Sequence, residues 1–181
     1  PGTDGHLRVL SSAGELLLDK EVSTGALYSA TVAKGMGAQK VIVTSGVDGL
    51  VYILNDAGVL LKSVRPETGK AAGVSGLVRH VAAGAFDGNG TDEVVAFVNR
   101  KSFEGNNFID IIDLATYVRP AYWSGDAEPV ADNVVAGLGF TDKQLPRVCD
   151  MDGNGRPELV AHWGVFHPED GPRTKLFSTM L

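Results

Sequence analysis

The chain has 181 residues, 44% hydrophobic and 21% charged, with 22 acidic against 16 basic side chains and a net charge of −6. That is a globular composition, long enough to bury a core, and an acid excess without a basic cluster argues against a nucleic-acid partner. No run approaches the roughly 18 apolar residues of a membrane-spanning helix, PGTDGHLRVL at the N-terminus shows no signal-peptide pattern, and the single cysteine, Cys149, excludes an internal disulfide.

In chain order the apolar segments are LRVL, KVIVT, LVYIL, EVVAFV, FIDIIDL and ELVAHW. They are short, rich in valine and isoleucine, and separated by DG and GNG turns. With 23 glycines and no longer segment of helical spacing, the pattern predicts an all-β sandwich, barrel or propeller.

Internal repeats narrow the choice. Asp4–Val22 lies over Asp48–Pro66 at an offset of 44 without gaps, matching Asp4-Gly5 to Asp48-Gly49, Leu10 to Leu54, Ala13-Gly14 to Ala57-Gly58 and Leu16-Leu17 to Leu60-Leu61. Each copy reads as two strands joined by an Ala-Gly turn. A looser copy is FIDIIDLATYVRPAYW, turning at Asp113–Thr116, and another begins near Asp170-Gly171. The segments AKGMGAQKVIVTSG, AGAFDGNGTDEVVAFV and VCDMDGNGRPELVAHW each supply a strand, a turn and a second strand. Joined, they give a four-stranded antiparallel unit, the signature of a β-propeller blade. The expected organisation is one propeller domain. It has a partial blade over 1–24, full blades over 25–70 and 71–130, and a partial blade over 131–181. Two full and two partial blades are too few to close, so the remaining blades of a propeller of roughly six to eight are expected in the same or another chain.

The loop Asp150–Glu158, DMDGNGRPE, places carboxylates at positions 1, 3 and 9 (Asp150, Asp152, Glu158), the Asn154 amide oxygen at 5 and the Arg156 carbonyl at 7. Three converging carboxylates repel one another unless a hard cation joins them, and calcium takes six to eight oxygen ligands of this kind. The start imitates an EF-hand loop, but the acid comes early and the flanks read as strands. A second copy, Ala85–Glu93, offers Asp87, Asn89 and Glu93 but has Ala85 at position 1, so weaker binding is expected there. Asp92 would substitute only if that loop rearranged. The corresponding GMGAQK turn of the first full unit has no carboxylate, and no metal is expected in it.

The pattern D-x-D-G-N-G-x-x-E-L-V, with its AGxFDGNGxxE copy, resembles the FG-GAP/VCBS repeats of integrin-α-like β-propellers. The likeness covers about two thirds of the chain. It implies that each loop joins the two inner strands of a blade and holds Ca2+. The ligands would be Asp150, Asp152, Asn154, Arg156 and Glu158 in one loop and Asp87, Asn89, Thr91 and Glu93 in the other, with Arg156 and Thr91 acting through their carbonyls. Such a metal is structural.

Function is expected on the rim formed by the loops between the second and third strands of each unit. TSGVDG is short, but VNRKSFEGNNF and HWGVFHPEDGPR have grown and carry aromatic and ionisable groups together. In one reading this rim binds a carbohydrate or protein ligand, with Trp163 stacking on a sugar ring and Arg100, Lys101 and Arg173 pairing with acidic groups. In another, His162 and His167 are a general base and acid, or metal ligands, as the resemblance to propeller-type polysaccharide lyases and sugar dehydratases implies. In a third, the aromatic residues only pack between blades. His80 reads as a packed histidine of a first strand and Cys149 as a small buried hydrophobe. The acidic balance and the calcium-type loops make an extracellular location the expectation.

Overall fold

The β-branched segments form the expected strands, thirteen among the described residues. The computed structural model describes residues 2–66, 76–100, 107–120, 147–161, 164–166 and 175–177. The strands are β1 (His6–Leu10), β2 (Leu16–Glu21), β3 (Leu27–Lys34), β4 (Lys40–Gly46), β5 (Val51–Asn55), β6 (Leu60–Val64), β7 (Gly76–Gly84), β8 (Glu93–Arg100), β9 (Asn107–Asp113), β10 (Arg147–Cys149), β11 (Glu158–Ala161), β12 (Gly164–Phe166) and β13 (Lys175–Phe177). They make four antiparallel sheets, each in chain order: β1-β2, β3-β4-β5-β6, β7-β8-β9 and β10-β11-β12-β13. A 3₁₀ turn, Met36–Ala38, links β3 to β4. The protein is all-β, and its four sheets form no closed ring among the described residues.

The internal repeat is legible in hydrogen bonds. Ser11 N–H donates to Glu15 O (2.8 Å) and Gly14 N–H to Ser11 O (3.0 Å); 44 residues on, Asn55 N–H donates to Val59 O (2.9 Å) and Gly58 N–H to Asn55 O (3.0 Å). The looser copy closes differently. Asp113 N–H donates to Val118 O (2.9 Å) and Tyr117 takes the positive φ, 60°, that a glycine usually supplies.

Packing places the sheets face to face. One apolar layer joins Ala33, Val41, Val43, Val51 and Ile53 of the second sheet to Val78, Val81, Val94, Ala96, Val98 and Ile112 of the third. A smaller one joins Leu7 and Leu27 to Tyr52 and Leu54, across the first and second sheets. Alternation therefore splits β5: Val51 and Ile53 face one neighbour, Tyr52 and Leu54 the other. This is why LVYIL and VVAFV are unbroken apolar runs; their strands are covered on both faces. The outer strands β2 and β6 are exposed and carry Lys20 and Lys62, charges that discourage further strand pairing.

The leading strands converge: β7 lies against β3 and β4 on one side and against β10 on the other. Three details depart from the sequence reading. β13 gives the last sheet a fourth strand, where the chain was expected to stop within or just after the third. The strand expected from Tyr117 onward has not begun by residue 120, where turn and coil follow β9. Cys149 is exposed rather than buried. In the three-residue strand β10, Val148 faces Gly84 of the third sheet, so alternation turns Cys149 the other way.

Candidate metal centre

Both DGNG loops connect the first and second strands of a sheet, β7 to β8 and β10 to β11. Their curl comes from glycine. Gly153 and Gly155 sit at φ 76° and 85°, and their counterparts Gly88 and Gly90 at 71° and 88°, all in the left-handed region. Each turn folds alternate side chains back toward the backbone. Asp150 Oδ1 accepts from Gly153 N–H (2.7 Å) and Oδ2 from Gly155 N–H (2.9 Å). Asp152 accepts from Asn154 N–H and from its side-chain amide, both at 3.0 Å. Asn154 Oδ1 accepts from Arg156 N–H at 2.7 Å. Fully buried Glu158 reaches back, its Oε2 accepting from Met151 N–H at 2.6 Å.

The outcome is convergence: carboxylate oxygens of Asp150, Asp152 and Glu158 lie within 4.8 Å of one another. The donor set fits a hard cation. It holds carboxylates and an amide oxygen, with no sulfur or imidazole, which suits Ca2+ better than a transition metal.

The earlier loop repeats four of these six bonds 65 residues upstream, the two accepted by Asp150 having no counterpart. Asp87 accepts from Asn89 N–H (2.9 Å) and its side-chain amide (2.8 Å), Asn89 Oδ1 from Thr91 N–H (2.7 Å), and Glu93 Oε2 from Phe86 N–H (2.7 Å). Glu93 is fully buried, and its Oε1 has no hydrogen-bond partner among the described residues. Burial, reinforced by the charges of Asp87 and Asp113, pushes the Glu93 carboxyl up to about 7. An orphaned buried carboxylate oxygen is costly, and a cation beside it would hold the group ionised. Ala85 leaves position 1 without a side-chain oxygen, and Asp92 does not fill it. Asp92 is committed elsewhere: its Oδ2 accepts from Lys34 N–H at 2.7 Å, and its own N–H donates to Lys34 O at 2.8 Å. It thereby fastens the loop to the end of β3, a joining role that its sequence position did not reveal. The β3–β4 turn, Gly35 to Gln39, closes through Gly35 N–H to Gln39 O (2.7 Å) and has no carboxylate, as its sequence requires.

The rim candidates fall elsewhere. Lys101, His162, Trp163, His167 and Arg173 lie outside the described residues, and Arg100 is described only as the last residue of β8. His80 is packed against the Phe97 ring, with centroids 5.9 Å apart, and is hydrogen-bonded to Ser29. No helix of the described residues is long and apolar enough to cross a membrane. Neither the family models, nor the curated proteins, nor the solved structures give a match to this chain.

Proposed function

We propose that this chain is a calcium-stabilised β-propeller module of an exported protein, its sheets being blades of a ring completed by further blades in the same or another chain. The observation that carries the reading is the gathering of Asp150, Asp152 and Glu158 oxygens within 4.8 Å at the turn between two inner strands. The matching bonds in the Asp87–Glu93 loop and the orphaned Glu93 oxygen support a second, weaker site of the same kind. Four antiparallel sheets in chain order, with leading strands side by side, suit blades around a common axis.

In this reading Asp150, Asp152, Asn154, Glu158 and the Arg156 carbonyl hold Ca2+, and the ion neutralises the converging carboxylates. It ties β10 to β11 and favours only the folded state, so its effect grows with occupancy, by about 2.7 kcal/mol at a hundredfold excess over Kd. The module binds a carbohydrate or protein ligand through its rim. That assignment is carried by the residue types of Arg100, Lys101, Trp163 and Arg173.

Calorimetric titration with Ca2+, alongside melting curves in Ca2+ and in chelator, tests the metal on this chain and on Asp152→Ala. The expected result is a saturable heat and a Tm raised by calcium, both much reduced in the variant. Absence of heat and of any Tm shift in the unmodified chain would make the DGNG loops plain turns and remove the basis for the reading.

A further inference from the structure

A cavity of about 220 Å³ opens where the three leading strands meet, lined by Ala30, Thr31, His80, Val81–Ala83, Arg147 and Val148. Its lining contains none of the residues assigned to calcium or to the rim. Two β-bulges shape it. Between Leu27 and Ser29 the β3–β4 register slips at Tyr28, and between Val78 and His80 the β7–β8 register slips at Arg79. The two extra residues meet, the Arg79 guanidinium lying 4.7 Å over the Tyr28 ring. Bulges re-aim the side chains beside them, and here the neighbours are Ser29 and His80.

Those neighbours are locked together across two sheets. Ser29 Oγ lies 2.9 Å from His80 Nδ1 and accepts from Val81 N–H at 3.3 Å, while the buried Thr44 hydroxyl donates to Ser29 O at 2.8 Å. One edge of the imidazole is thus fixed on the cavity wall. Arg147, exposed and without an ion pair among the described residues, also borders this space at the start of β10. The chain has 22 acidic and 16 basic residues, yet among the described residues no acidic one lines this cavity.

We infer that this cavity is a binding site for a small carboxylate of about the size of a single sugar ring, with Arg147 pairing with the carboxylate and His80 and Thr31 flanking the remainder. The Arg fork matches a planar carboxylate in two parallel hydrogen bonds. Small apolar side chains, Ala30, Ala82, Ala83 and Val148, form much of its wall, and its volume suits a single ring. The volume falls below the roughly 300–1,000 Å³ of sites for drug-sized ligands. The inference stands independently of calcium and of the rim.

The test is a titration of histidine-labelled protein, in Ca2+, with D-glucuronate, using D-glucose as the uncharged ring of the same shape. The His80 ring resonance is assigned by its loss in His80→Gln. Glucuronate is expected to move that resonance saturably with Kd on the order of 1 mM, and glucose is expected to leave it in place. Arg147→Gln should weaken glucuronate by about tenfold or more, with the free-protein spectrum unchanged. Arg147→Lys, keeping charge but losing the fork, should fall between them. No saturable shift, an equal response to glucose, or full binding by Arg147→Gln would each overturn the proposal.

Discussion

Asp92 and Pro157 stand at the same place in two loops of the same design, yet they do different work. Asp92 holds the end of β3 through two hydrogen bonds, whereas Pro157 packs beside Gly84 at the end of β7. Both fasten their loop to the preceding sheet, one by polar pairing and one by contact. A third residue-scale tie is electrostatic. Arg8 donates to Asp4 at 2.6 Å, and this bond, with the His6 N–H, holds the Asp4 carboxyl down at about 2. The folded value lies below the ordinary 3.8, so the pair favours the folded state above pH 3.8 and loses that contribution as pH falls through about 2. The pair lies at the surface, so solvent screens it and the effect on global stability is small. The measurable outcome is local. The Asp4 carboxyl 13C resonance should titrate near pH 2 and return to the ordinary aspartate range in Arg8→Ala. A midpoint near 4 in the unmodified chain would show that the pair does not form in solution.

At the scale of the element, the two loops can be compared position by position. Their glycine conformations, buried glutamates and the hydrogen bonds of Asp87/Asp152 and Asn89/Asn154 match, and at position 1 Ala85 stands against Asp150. Ala85→Asp should therefore raise the calcium affinity of the earlier loop by about tenfold or more, since ligand charge helps set affinity in such loops. Calorimetry on the variant in the Asp152→Ala background reads that loop alone; an unchanged weak heat would mean that position 1 does not contribute. These loops were legible in sequence because their chemistry is local. Positive φ, Asx-type bonds and carboxylate spacing are all set within nine residues. The hairpin repeat was legible for the same reason, in Asp-Gly and Ala-Gly turns. What was not legible depended on neighbours. Cys149 looked apolar and buried, but the edge position of β10 exposes it. Asp92 looked like a spare ligand, and only the approach of β3 shows its use. The pairing of Ser29 with His80 joins residues 51 apart through two bulges, and no spacing rule anticipates it.

On the scale of the molecule, each sheet packs against its neighbour in chain order through a separate set of contacts, so stability should be partly divisible between neighbours. The junction of the third and fourth sheets is the place to test this. A Cβ on Gly84 would come within 2.6 Å of Val148 Cγ1 and 2.9 Å of Pro157 Cγ. Neither atom belongs to a long side chain that can swing away, so Gly84→Ala must push β10 and its loop outward. Overpacking of this kind costs about 1–3 kcal/mol. The apolar layer between the second and third sheets, centred on Val43, Ile53, Val94 and Ala96, lies elsewhere in the molecule and need not move. Hydrogen exchange should then divide the chain. Amides of β10 and β11 lose protection in Gly84→Ala, while those of β4, β5 and β8 keep theirs. Calcium should restore part of the lost protection, because the Asp150–Glu158 loop ties the same two strands. A uniform loss across all sheets would instead mean that they unfold as one cooperative unit, with the junction at Gly84 as necessary to the first sheet as to the last.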